Sequence, residues 1–190
     1  VDSQDEASSA GDVLQVQTRE DFSAVFRDLY APLVRYARGL SSDGVSARDV
    51  VQEVFTSLWE DRSEIVVRSS LEALLYTMVR NRVLNANRNR KNRAENASPR
   101  DIEDQKGLGT TSADESVTAK HLRQRLSAWI DDLPPRRREA FILSRYHGLS
   151  HEEIAQVMNV SRRTASTHVM HALQDLRRQL DALRNEDDLP

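Results

Sequence analysis

Hydrophobic positions recur at helical spacing along almost the whole chain. The sharpest pattern runs from Gly148 to Leu180, GLSHEEIAQVMNVSRRTASTHVMHALQDLRRQL. Ile154, Ala155 and Met158 form one short apolar face. Ala165, Val169, Ala172, Leu173, Leu176 and Leu180 form a longer one. Ser150, with Glu153 three residues on, reads as a capping box worth roughly 1 kcal/mol. Asn159 suits the left-handed residue that ends a helix. Val160 plugs the turn and Ser161 caps the second helix. The other face of that helix carries Arg162, Arg163, Thr164, Ser166, Thr167, Met170 and His171 near its start. A short helix, a tight turn and a capped helix led by Arg, Ser and Thr predict a helix-turn-helix.

The same reading extends upstream. Thr18 caps a helix with Phe22, Val25, Phe26, Leu29 and Tyr30 on one face. Pro32 is expected to kink or restart it before Leu33, Tyr36, Ala37 and Leu40. After a turn at Ser41 to Gly44, Ser46 caps a helix with a strong stripe of Ala47, Val50, Val51, Val54, Phe55, Leu58 and Trp59. Its outer face is Arg48, Asp49, Gln52, Glu53, Ser57 and Glu60. Ser69 and Glu72 read as a second capping box, opening a helix with Leu71, Leu74, Leu75, Met78, Val79 and Leu84. That helix runs into RNRVLNANRNRKNR, where Arg80, Arg82, Arg88, Arg90, Lys91 and Arg93 meet no acid in the sequence.

The periodicity lapses in three places. Residues 1–17 are expected to be a disordered acidic tail. Residues 94–118, with Pro99, Gly107 and Gly109, are expected to be a linker without fixed structure. Residues 185–190 are an acidic tail. Between the last two, Leu122, Leu126, Trp129, Ile130 and Leu133 predict one helix. Pro134-Pro135 breaks it, and Pro135 suits the first turn of the next. That next helix holds Ala140, Phe141, Leu143 and Tyr146, and Gly148 ends it. The expected fold is all-α: two small helical domains, 18–93 and 119–184, joined by a flexible linker.

Charge sharpens this picture. The net charge of −3 over 190 residues looks unsuited to a nucleic-acid binder until it is divided. Residues 1–64 carry net −7, residues 65–100 net +6, residues 101–118 net −4 and residues 119–184 net +5. Two basic blocks therefore flank an acidic one, which implies two DNA-facing surfaces, with the acidic N-terminal part facing something else. There is no cysteine, so disulfides, thiolate zinc sites and a nucleophilic Cys are excluded. The sequence shows no apolar run long enough for a signal peptide or membrane span, and a soluble cytoplasmic protein is expected. His151-Glu152 begins a zinc-protease pattern, but Ala155 stands where the second His belongs. His147, His151, His168 and His171 lack metal-ligand spacing and read as surface residues. No metal and no cofactor are expected.

With these pieces placed, the chain from about Glu20 to Leu183 resembles a bacterial RNA polymerase sigma factor of the small extracytoplasmic-function (ECF) group. FRDLYAPLVRYAR, SARDVVQEVFTSLWEDR and LEALLYTMVRNRVLNANRNR resemble sigma domain two. LPPRRREAFILSRYHGLSHEEIAQVMNVS resembles sigma domain four. The order of these motifs, with a linker between them, is more specific than any one alone. The resemblance implies partners: core RNA polymerase through its β′ and β subunits, promoter DNA, and an anti-sigma factor as a further candidate. It implies that Asp49, Gln52 and Glu53 dock on the clamp helices of β′. It implies that the helix holding Tyr76, Asn81, Arg82, Asn85, Arg88 and Arg90 reads and opens the minus-ten element. Asn amides can pair with exposed base edges while Arg holds phosphates. Arg162, Arg163, Thr164, Ser166, Thr167, Met170 and His171 would face the minus-thirty-five element. Here the chain departs from many members, which have Val-Lys or Val-Arg in place of Ala165-Ser166 and Arg in place of His171. The lost cations imply a different preferred base sequence.

Two other classes compete. A stand-alone regulator with a LuxR-type output domain would use only the helix-turn-helix, but residues 20–93 hold no visible receiver or ligand pocket. An enzyme acting on nucleic acid would need a nucleophile–base set, a phosphate loop or a metal cluster, and the sequence offers none. A non-enzymatic role in transcription initiation is expected.

Overall fold

The computed structural model describes residues 12–13, 16, 18–42, 44–67, 69–95 and 117–187. By internal contacts the chain divides into two compact units, Val1–Gln105 and Lys106–Pro190. Among the described residues the fold is all-α apart from one two-residue ladder.

In the first unit three helices pack on one another: α1 (Arg19–Leu40), α2 (Ala47–Glu60) and α3 (Leu71–Glu95). Thr18 opens α1 with a reciprocal capping box to Asp21. The helix runs through Pro32 as one 22-residue element and does not restart there. Pro32 has no N–H to offer Asp28, yet Leu33, Val34, Tyr36 and Ala37 just beyond it are buried. Their burial holds the helix together where local bonding is weakest. Ser46 caps α2, and Val50, Val51, Val54, Phe55 and Leu58 are buried on its inner face. Phe22 of α1 meets Trp59 edge-on at 5.2 Å, and Phe26 meets Phe55 at 4.8 Å, so aromatic packing joins the two helices.

Helix α3 corrects two expectations. Its cap is Ser70, whose Oγ accepts from the Ala73 N–H at 3.1 Å, rather than Ser69. Its buried residues are Ala73, Leu75, Tyr76, Val79, Arg80 and Val83, while Leu84 is exposed. The inner face is therefore turned by one position relative to the leucine pattern. The expected disordered tail through residue 17 is also corrected at its end. Strand β1 (Asp12–Val13) pairs antiparallel with β2 (Val66–Val67), Asp12 opposite Val67 and Val13 opposite Val66, and Val16 is 1% exposed. Residues 1–11 lie outside the described residues.

The second unit comprises α4 (Val117–Asp131), α5 (Pro135–Arg145), α6 (His151–Met158) and α7 (Arg162–Asp187). Pro135 takes the first position of α5. Ile130, Leu133, Phe141, Ala172 and Leu176 form a core cluster, with Trp129 and Ile142 against it. Ile154, Val157, Met158, Ala165 and Val169 are buried as well, whereas Leu173 and Leu180 of the expected inner stripe are exposed. The expected linker is narrower than 94–118, because α3 reaches Glu95 and α4 starts at Val117. What lies between, residues 96–116, is outside the described residues. Likewise α7 extends to Asp187, into the expected tail.

Candidate polymerase and nucleic-acid interfaces

Ser46 fixes where α2 begins, by accepting from the Asp49 N–H at 3.3 Å. From that start the apolar stripe must face inward, so Asp49, Gln52 and Glu53 are all exposed on the outer side. A shallow groove of about 340 Å³ lies along this side, lined by Asp49, Gln52, Glu53, Thr56, Ser57 and Arg82. The three residues singled out in the sequence thus share one surface, and Arg82 of α3 shares it with them. Its Nη1 donates to Glu53 Oε2 at 3.0 Å, and its Nη2 donates to Ser57 Oγ. The expectation that Arg82 meets no acid is therefore corrected. Glu53 is distant in sequence and adjacent in space.

The α3 side chains sort by helical phase. Residues 73, 76, 80, 83, 87 and 90 fall on one stripe at heptad spacing. Tyr76 on that stripe is 1% exposed, and its ring meets Tyr36 edge-on at 5.1 Å. Burial, reinforced by Glu72, pushes its phenol well above the usual range, so it stays neutral. Tyr76 is a core residue, which corrects its assignment to DNA contact. Arg80 is also buried. Arg90 turns back onto the body of the unit, because its guanidinium fills the space where a Cβ at Gly44 would stand. Gly44 has φ +78°, a left-handed backbone that favours glycine at this turn. On the outward side Asn81, Asn85 and Arg88 are all exposed. Arg88 Nη2 donates to Asn85 Oδ1 at 3.2 Å. This leaves the Asn85 amide N–H groups outside that bond.

One residue of this helix escaped the sequence reading. Asn87 Nδ2 donates to the Leu40 carbonyl at 2.8 Å, and its Oδ1 accepts from the Ser42 N–H at 3.0 Å and the Ser42 hydroxyl at 2.8 Å. It clamps the end of α1 to α3 and so sets the angle at which α3 leaves the core. Only its place on the inner stripe distinguishes it from Asn85 and Asn89, and that phase is hard to read without the fold.

In the second unit the helix-turn-helix forms as its caps dictate. Ser150 and Glu153 bond reciprocally, and Asn159 is left-handed at φ 53°. Thr164 N–H donates to Ser161 Oγ at 3.1 Å, opening α7. Arg162, Arg163 and Met170 are exposed, and Thr164, Ser166, Thr167 and His171 are partly so. Two of the expected hydroxyl contacts are already engaged. Thr164 Oγ1 shares a 2.8 Å bond with Ser161 Oγ, and Thr167 Oγ1 donates to the Arg163 carbonyl at 2.9 Å. Arg162 lies 3.7 Å from Glu152 of α6, an exposed pair of little energetic weight. His168 is held below the usual imidazole range, first by burial and then by Arg136, Arg137 and His171. It is therefore neutral at pH 7 and adds no charge beside the arginines.

The comparisons agree with this division. The family pattern described as Sigma-70 region 2 matches residues 25–93, and that of Sigma-70 region 4 matches residues 123–176. Together they span more than half the chain. The chain belongs to the sigma-70 family. A relative, ECF RNA polymerase sigma factor SigL of Mycobacterium tuberculosis, is 29% identical over 85% of this chain and 92% of its own. Two solved structures share the fold. One is sigma factor RpoE in complex with the anti-sigma factor NepR from Bartonella quintana: TM-score 0.68, 24% identity, 85% of this chain and 98% of that one. The other is CnrH in complex with the cytosolic domain of CnrY: TM-score 0.58, 19% identity, 87% of this chain and 91% of that one. The function is that of a sigma factor in transcription initiation, working with RNA polymerase on promoter DNA. The region 2 match over 25–93 disfavours a LuxR-type regulator, whose DNA-binding part is the helix-turn-helix alone. Among the described residues no helix is long and apolar enough to cross a membrane.

Proposed function

We propose that this sigma factor uses three separate surfaces. The outer side of α2, Asp49, Gln52 and Glu53, docks on the clamp helices of β′. The outward stripe of α3, Asn81, Asn85 and Arg88, reads the opened minus-ten strand, the amides pairing with bases and the guanidinium with phosphate. The start of α7, with Arg162, Arg163, Ser166, Thr167, Met170 and His171, meets the major groove of the minus-thirty-five element. Tyr76 and Arg90 drop out of the minus-ten set, because both are committed to the first unit itself. The observation that carries this reading is the sorting on α3. One stripe is spent on packing and clamping, and the opposite stripe presents two amides and a cation to solvent.

The protein acts in the cytoplasm without catalytic groups or cofactor of its own, and an anti-sigma factor is a fitting regulator. Both structural neighbours are complexes with such proteins or are described alongside a cytosolic partner domain. The test is in vitro transcription from a genomic promoter library with core polymerase, adding the wild-type chain or Asn81→Ala. Discrete start sites that need the chain, and whose minus-ten preference relaxes with Asn81→Ala, are expected. Specific binding of both elements by the free protein, with no effect on core polymerase, would overturn the reading.

A further inference from the structure

The Glu53–Arg82 pair joins two surfaces that the proposed function keeps apart. Glu53 belongs to the α2 face assigned to polymerase. Arg82 sits between Asn81 and Asn85 on the α3 sequence assigned to the minus-ten strand. The guanidinium is turned away from those amides and into the α2 groove, where Glu53 at 3.0 Å and Ser57 hold it. The pair is open to solvent: 36% of the Arg82 side chain and 64% of the Glu53 side chain are exposed. A cation on a docking partner therefore reaches the same carboxylate without unfolding anything.

We propose that this pair is a built-in restraint that couples polymerase docking to DNA binding. In the free chain Glu53 and Ser57 hold the Arg82 guanidinium off nucleic acid. When a basic side chain of the partner engages Asp49 and Glu53, Arg82 loses its carboxylate and turns to a phosphate beside Asn81 and Asn85. One carboxylate cannot fully neutralise two competing guanidinium or ammonium groups, so each partner weakens the hold of the other. The coupling is modest, because exposed ion pairs are weak: about two- to five-fold in affinity. The release step rests on the reading of α2 as the docking face.

The experiment uses the full chain without polymerase and a labelled single-stranded minus-ten oligonucleotide, followed by anisotropy across a salt series. Glu53→Gln is expected to bind about two- to five-fold more tightly than wild type, with a salt slope steeper by about 0.7, one extra phosphate contact on a single strand. Glu53→Gln with Arg82→Gln should bind no better than Arg82→Gln alone. Glu60→Gln removes a carboxylate from the same helix away from Arg82 and should give no gain. Equal affinity for Glu53→Gln and wild type would overturn the restraint. So would a gain that survives in the double variant or appears equally in Glu60→Gln, since it would then report net charge only. Core-polymerase affinity of Glu53→Gln, measured separately, tests the other half. A loss supports docking through Glu53. Unchanged affinity removes the release step even where the restraint on Arg82 is found.

Discussion

The Arg137 guanidinium donates to Asp175 across 2.7 Å, tying the first turn of α5 to the middle of α7. Arg178, three residues along α7, reaches the other carboxylate oxygen. The Arg137 hydrogen bond, more than any other influence, holds the Asp175 carboxyl below its ordinary value of 3.8. The carboxylate form is therefore the one the folded unit favours. Its stabilisation is complete above the unfolded value and is lost as pH falls through the lower folded value. Asp175→Asn should destabilise the second unit by about 1–2 kcal/mol at pH 7. That difference should shrink below about pH 4, which denaturant melts of wild type and variant across pH will show.

Tyr76 should behave as a core residue and not as a DNA contact. Tyr76→Phe keeps the ring against Tyr36 and should leave minus-ten binding at the wild-type level. Tyr76→Ala opens a cavity and should lower stability by roughly 3–5 kcal/mol, as for other large aromatics cut to Ala. Thermal melts and single-strand binding, run in parallel, separate the two roles. Selective loss of DNA affinity in Tyr76→Phe would place the residue back at the interface.

The helix-turn-helix was legible because its signals are local. Ser150 with Glu153, the left-handed Asn159 and the Ser161 cap each act within four residues, and backbone physics sets them. The phase of α3 was less legible. Its leucines and methionine spread around the circumference, and Tyr76, Arg80 and Val83 turn out to share the buried side. Local pattern cannot choose among such phases, because the choice is made by α1 and α2. The partners of Arg82 and Asn87 lie 29 and 45 residues away, so their roles follow from tertiary packing alone. The β1 pairing with Val66–Val67 was hidden for the same reason, since two residues are too few to show a strand period.

Asp49 gives the cleaner test of polymerase docking, because it makes no ion pair with Arg82. Asp49→Lys reverses charge on the exposed side of α2 and should weaken core-polymerase binding about tenfold, or roughly 1.4 kcal/mol. Asp49 also sits in the first turn of α2, where a cation opposes the helix dipole by about 0.3–1 kcal/mol. A thermal melt must therefore accompany the binding assay. Unchanged core affinity in a folded variant would remove Asp49 from the interface.

The start of α7 should read a minus-thirty-five sequence different from that of relatives with more cations there. Ala165 is buried and cannot touch DNA, so the difference rests on Ser166 and His171, both partly exposed. Neither carries a fixed fork of donors, whereas arginine at either position can bond guanine O6 and N7 together, worth about 1–3 kcal/mol against the wrong base. The Thr167 hydroxyl donates within the helix, so it offers a base an acceptor more readily than a proton, and the Thr164 hydroxyl shares its bond with Ser161. His168 is neutral at pH 7 and lends no charge in compensation. Ser166→Arg with His171→Arg should therefore shift the preferred element toward guanine-containing steps and steepen the salt dependence of holoenzyme binding. Selection from a randomised minus-thirty-five library with wild-type and doubly substituted holoenzyme reads both effects. The same consensus from the two would show that these positions do not set specificity.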